Sequence, residues 1–189
     1  MKLHIGCGTV YLKDFVNIDG APHYIIPNCP NHILEQNITT FEKYYKQEFG
    51  TLSGYVVADI KHDINKPLPF DNKSVEKIVM YQVLEHIPLY EVDGILIDFF
   101  RILQDDGSIY LSVPDIKETA KLLTNAKTNE EEDWVIRLIH GTQRNKWSHH
   151  YCGYTIRTLT KLLNFHGFSN IEELSNINIY PTIHLKVSK

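Results

Sequence analysis

Apolar and polar positions along the chain follow two alternating rhythms. Short apolar runs rich in β-branched residues read as strands: Leu3 to Ile5, "FVNID" (15–19), "GYVVADI" (54–60), "VEKIVMYQ" (75–82), "IYLSVP" (109–114), "NIEEL" (170–174) and "TIHLKVS" (182–188). Longer stretches repeat apolar residues every three or four positions and predict helices over 33–50, 91–103, 115–126, 130–140 and 154–168. Thr155 is placed to cap the last of these and Gly167 to end it. Residues 20–34, rich in Pro and Asn, predict irregular structure, as do "HDINKPLPF" with its two prolines and the turn "QDDGS". Strands separated by helices imply an α/β fold, with a mostly parallel sheet and helices on both faces. In such sheets ligands bind outside the carboxyl ends of the strands.

Composition adds bounds. The 189 residues suit one globular domain over 1–189, with no internal repeat and no low-complexity linker. A net charge of -4 gives no electrostatic case for nucleic acid. No window is long and apolar enough to span a membrane, and no signal peptide precedes "MKLHIGCG". Cys7, Cys29 and Cys152 lack paired spacing and read as reduced thiols of a cytoplasmic protein.

Three strand-end features carry candidate chemistry. The first strand runs into Gly6-Cys7-Gly8, where backbone can approach a ligand closely because neither glycine has a Cβ. That pattern alone is more often a tight turn. The third glycine of a dinucleotide fingerprint is missing, since Val10 and Tyr11 stand in its place, which disfavours a pyrophosphate. Asp19 ends the second strand, where a carboxylate can accept both ribose hydroxyls of a nucleoside. Asp63 follows the next strand, where it can accept from an exocyclic adenine amine while Ile64 packs on the ring.

"LHIGCGTVYLKDFVNID", "HDINKPLPFDNKSVEKIVMYQVLEHI", "FFRILQDDGSIYLSVPD" and "LLNFHGF" together resemble the class I S-adenosylmethionine-dependent methyltransferases. Within these the chain is most similar to a small type 11-like subgroup often encoded near glycosyltransferases. The resemblance covers almost the whole chain. It implies a Rossmann-like sandwich with a seven-stranded, mostly parallel sheet whose last strand is antiparallel. S-adenosylmethionine is the implied cofactor and S-adenosylhomocysteine the product. The implied cofactor contacts are Gly6, Cys7 and Gly8 through backbone, Asp19 at ribose, Asp63 and Ile64 at adenine, and Tyr81 and Gln82 near the methionine part. Glu85 and His86 would lie near that end too, or orient the following helix. The family's Pro-Gly-Gly turn is replaced by "QDDGS", and the first crossover is too short for a full helix.

The segment "HGTQRNKWSHHYCGYT" is the richest polar stretch. The resemblance places it where an acceptor would bind, with His150 best matched to a His-x-x-Gly-aromatic pattern of relatives. A histidine there can take the proton from a hydroxyl as the oxygen attacks the methyl group. His150 is therefore the first candidate base and His149 the second, while ordering of the loop is the other reading. His86, Arg144, Trp147 and Tyr151 are the expected acceptor contacts. A metal set of His149, His150 and Cys152 matches no familiar zinc spacing, so no metal is expected. Cover over the site is expected from 20–53 at the nucleoside and from 116–154 at the methyl group. The expected function is methyl transfer to a small molecule or saccharide, at a hydroxyl. Two rival readings are a silent cofactor-binding or regulatory module and a nicotinamide-dependent oxidoreductase.

Overall fold

A computed structural model describes residues 1–8, 10–12, 14–20, 35–36, 58–144, 146–176 and 178–189. The strands are β1 (Lys2–Ile5), β2 (Tyr11–Leu12), β3 (Val16–Asp19), β4 (Glu35–Gln36), β5 (Ile60–Lys61), β6 (Val75–Tyr81), β7 (Leu103–Pro114), β8 (Ser169–Glu173) and β9 (Thr182–Ser188). The helices are α1 (Leu89–Ile102), α2 (Ile116–Asn125), α3 (Asn129–His140) and α4 (Ile156–Phe165), joined by short 3₁₀ turns at Leu84–His86 and Lys146–Ser148. Seven strands form one sheet in the order β5-β3-β1-β6-β7-β9-β8, while β2 and β4 pair separately. β5, β3, β1, β6 and β7 are mutually parallel. β9 runs antiparallel to both β7 and β8. The expected seven-stranded α/β sheet with an antiparallel last strand is therefore present.

Strand parity decides what each face buries. Leu3, Ile5, Ile78, Met80, Leu111, Val113, Ile183 and Leu185 share one face and pack in a single core. α1 meets that core with Val92, Ile95, Leu96, Phe99 and Ile102, a three-and-four repeat, and α4 adds Leu159 and Leu163. Each such side chain contributes about 1.5–3 kcal/mol by leaving water. The opposite face buries polar groups: His4, Asn17, Ser112 and His184. α4 begins at Thr155, whose hydroxyl accepts from the Thr158 amide in a capping box, and it ends before Gly167 at φ +87°.

Three expectations change. "QDDGS" is not a turn between elements: Val75 pairs with Leu103 and Lys77 with Ser108, so these residues bulge out of β7. The helix expected over 33–50 falls outside the described residues except Glu35–Gln36, which are strand. Of "GYVVADI", only residues 58–60 are described, and the strand there is Ile60–Lys61.

Among the described residues no helix runs between β1 and β3; the buried Asn17 side chain organises the link. Its Oδ1 accepts from the Leu12 amide at 2.9 Å and from His4 Nδ1 at 3.0 Å. Its Nδ2 donates to Leu12 O, Phe15 O and Asp59 Oδ2 at 3.0, 3.1 and 3.2 Å. This holds Gly6 to Gly8 at the carboxyl edge of the sheet.

Candidate active site

At that edge a cavity of about 230 Å³ opens between the β1 turn, the β3 end, the Asp63–Ile64 loop and the residues after β6. Gly6 (φ +65°) and Gly8 (φ +53°) occupy a backbone region that disfavours side chains. A Cβ on Gly6 would stand 2.3 Å from Val83 Cγ2, so backbone and Val83 touch directly. A Cβ on Gly8 would meet nothing within 4 Å, so glycine there leaves space that a ligand can use. Asp19 Oδ2 accepts from the Gly8 amide at 2.8 Å, which ties the glycine turn to the β3 end. Asp63 Oδ1 accepts from the Asn65 amide at 3.2 Å.

Gly6, Gly8, Asp19, Asp63, Ile64 and Gln82 all line this cavity, so the residues expected at the cofactor are brought together. Gln82 holds φ +56°, strained for a residue with a side chain. Its Nε2 donates to Ser112 Oγ at 2.9 Å, and its Oε1 accepts from the Tyr180 hydroxyl at 3.2 Å. Cys7, expected through its backbone, turns its buried side chain towards Ala58. Tyr81 is different. Its ring is buried with Val79 on the polar face of the sheet, away from the cavity lining. His184 Nδ1 donates to Ser175 O, so its Nε2 accepts the Tyr81 hydroxyl at 2.8 Å.

The lining carries two carboxylates and no Lys or Arg among the described residues. That donor set suits hydroxyls, an amine and a positive charge, and opposes a pyrophosphate. That chemistry suits S-adenosylmethionine.

A second cavity of about 400 Å³ adjoins the first and shares His86 and Trp147 with it. Arg137, His150 and Tyr180 also line it. The 85–87 backbone that carries His86 is held by hydrogen bonds from the Tyr151–Cys152 stretch. The Tyr151 and Cys152 amides donate to Glu85 O at 2.8 and 3.4 Å. Cys152 Sγ donates to Ile87 O at 3.4 Å. His86 Nδ1 donates to His149 O at 2.8 Å, and His150 Nδ1 donates to Leu138 O at 3.0 Å. The two imidazoles meet edge to face, with ring centroids 4.7 Å apart.

Burial sets the electrostatics here. It pushes the Glu85 carboxyl up to about 8. It lowers His86, and it lowers His150 to about 4 with help from the neighbouring His86. The Tyr180 hydroxyl is raised by burial and by Glu85. Glu85 Oε2 is buried and has no hydrogen-bond partner among the described residues.

Of the expected acceptor contacts, His86, Trp147 and His150 face the cavities. Arg144 and Tyr151 are exposed and line neither, and His149 acts through its carbonyl. Arg137 lines the second cavity where Arg144 does not. Arg137 and Tyr180 line the second cavity and were not among the expected site residues, while Glu85, expected near the methionine end, lines neither cavity and lies buried beside His86. Tyr180 sits in a loop without periodicity, and Arg137 reads as an ordinary residue of a charged helix, so only "VLEHI" held a signal.

No described helix is long and apolar enough to cross a membrane. No curated protein matches the sequence. Solved structures share the fold. An S-adenosylmethionine-dependent methyltransferase from Archaeoglobus fulgidus aligns at TM-score 0.55 and 13% identity, covering 100% of this chain and 85% of that one. Another from Methanosarcina mazei aligns at TM-score 0.51 and 17% identity, covering 99% and 89%. The model of the methyltransferase domain family matches residues 3–111, which run from β1 into β7 and include Gly6, Gly8, Asp19, Asp63, Ile64 and Gln82 of the first cavity. The chain belongs to that family and is an S-adenosylmethionine-dependent methyltransferase.

Proposed function

We propose that this single-domain enzyme methylates a hydroxyl of a small molecule or saccharide held in the 400 Å³ cavity. The observation that carries the reading is the shared wall: His86 and Trp147 line both cavities, so an acceptor in one reaches the methyl group of a cofactor in the other. The cofactor supplies an activated methyl group on a sulfonium. The chain's own task is to hold acceptor and methyl in line, about 3–3.5 Å apart, which accounts for a large share of the rate gain. Trp147 offers a ring face suited to a sugar, and Arg137 a planar donor suited to a carboxylate or phosphate on the acceptor. A hydroxyl must lose its proton as its oxygen attacks, and His150 stands at the wall where that oxygen would lie.

The test is methyl transfer from labelled S-adenosylmethionine across a panel of sugar and small-molecule hydroxyls. His150→Ala should keep cofactor affinity and lower turnover at least tenfold, about 1.4 kcal/mol of barrier. Unchanged turnover on a productive acceptor removes His150 from the reaction. Cofactor exchange without transfer to any acceptor would make the chain a binding module.

A further inference from the structure

We propose that Glu85, His86 and His150 form a divalent-cation site at the wall between the two cavities, and that the cation activates the acceptor hydroxyl. Each residue offers one ligand atom, and all three atoms lie within 4.8 Å of one another. The set combines two imidazoles and one carboxylate, the donor type of open catalytic sites for Zn²⁺ and neighbouring transition ions.

The hydrogen bonds fix the ligand atoms. A backbone carbonyl can only accept, so the bonds to His149 O and Leu138 O place a proton on Nδ1 of both rings. That leaves Nε2 of each neutral ring with its lone pair for a metal. Imidazole ligands are commonly oriented by a carbonyl in this way. The third donor is more telling. Glu85 is 2% exposed, and its Oε2 is buried with no hydrogen-bond partner among the described residues. An unpartnered buried carboxylate oxygen is costly, and a bound cation removes that cost. The scaffold is rigid, because the amides of Tyr151 and Cys152 and the Cys152 thiol all bond to the 85–87 backbone. Ligand atoms around a tetrahedral ion with bonds of about 2.0–2.2 Å stand roughly 3.3–3.6 Å apart, so loading closes the side chains by no more than about 1.5 Å.

The location gives the ion its task. His86 borders both cavities and His150 borders the acceptor side, so open coordination positions face the acceptor. A cation there polarises the hydroxyl and lowers its pKa. The O–H proton passes to water. The oxygen pair forms the new O–CH₃ bond as the C–S bond of the sulfonium breaks, leaving its electron pair on sulfur. His150 then serves as a ligand that positions the acceptor through the ion, and no free imidazole base is required.

The inference rests on the acceptor reading for its task, and on geometry alone for the site. The experiment measures the ion directly. Chelator-treated full-length protein is titrated with Zn²⁺, Mn²⁺, Co²⁺ or Mg²⁺ by calorimetry, with Co²⁺ d–d absorption as the spectroscopic readout. Saturable binding of one transition ion per chain, with Mg²⁺ much weaker, is expected. Glu85→Gln and His150→Ala should each weaken it at least tenfold, with circular dichroism confirming that both variants fold. His149→Ala should bind as wild type does. Absence of saturable binding overturns the site. So does binding that survives both Glu85→Gln and His150→Ala, or that depends on His149 and Cys152 instead. Hydroxyl methylation that needs His150 but no ion would leave the acceptor reading intact and remove this inference. A bound ion without any methylated acceptor would leave the site intact, removing the acceptor reading and the ion's proposed task.

Discussion

Gly6→Ala tests how the first turn makes the cofactor cavity. A side chain at φ +65° costs about 1–2 kcal/mol. The new Cβ would also stand 2.3 Å from Val83 Cγ2 and 3.1 Å from Cγ1. Val83 is β-branched and has few rotamers in which to escape, so this overpacking adds about 1–3 kcal/mol. Alanine also narrows the unfolded ensemble, which returns about 0.4–1 kcal/mol. The net loss should be roughly 1–5 kcal/mol, read from urea unfolding followed by circular dichroism. Calorimetry should show weaker cofactor binding in the same variant, because Gly6 and Val83 both line the cavity. The clash part has a signature. Val83→Ala in the Gly6→Ala background should recover it and leave the backbone strain, giving a coupling of at least about 1 kcal/mol in a double-mutant cycle. Additive losses, or a Gly6→Ala protein as stable and as tight-binding as wild type, would refute the contact.

Three further outcomes are expected. Asp19→Ala should weaken S-adenosylmethionine binding by about 1–3 kcal/mol in calorimetry, since both the ribose acceptor and the Gly8 tether are lost; wild-type affinity would move the ribose elsewhere. Asp63→Asn should bind the cofactor more tightly than Asp63→Ala, because an amide oxygen still accepts from an amine; equal affinities would take Asp63 out of the site. His4 is fully buried and its pKa is lowered from 6.5 to about 4 by desolvation, so the fold selects the neutral ring. Its contribution to stability is complete above pH 6.5 and falls as pH drops towards 4, by roughly 3 kcal/mol in all. Denaturant titrations from pH 7 to 4 should show wild type losing more stability than His4→Gln, and parallel curves would refute the assignment.

The sequence made strands and helices legible wherever burial imposed a period. α1 announces itself because five apolar residues must meet one core, and β9 because Ile183, Leu185 and Val187 alternate. The cavity edge was legible for a related reason: Gly6 and Gly8 follow β1, Asp19 ends β3 and Asp63 follows β5, so strand ends located them. Parity turns the Tyr81 side chain away from the cavity. Ile78 and Met80 face the helices, so Tyr81 must face the other side with Val79, and only Gln82, turned by its positive φ, enters the cavity. The acceptor wall was less legible because its members are distant in sequence. Glu85 gains its meaning from Tyr151 and Cys152, and Gln82 from Tyr180, contacts that no local period records.

The absent helix between β1 and β3 shifts the cost of ordering the cofactor edge onto polar groups. In a sheet of this type a crossover helix would bury apolar surface against the strands and hold the glycine turn by packing. Here Asn17 satisfies the chain at Leu12, Phe15 and Asp59, while its Oδ1 receives His4. Every bond in that set is buried or partly buried, so losing one leaves a partner unsatisfied at about 1–3 kcal/mol, more than the bond itself contributes. Such a network tolerates little drift. It therefore fixes the Ile18 carbonyl that receives the Gly6 and Cys7 amides at 2.8 and 3.2 Å, and with it the path of the turn beside Asp19. The same dependence makes the edge vulnerable to acid through His4. Cofactor affinity should thus follow the protonation of a residue that never touches the cofactor.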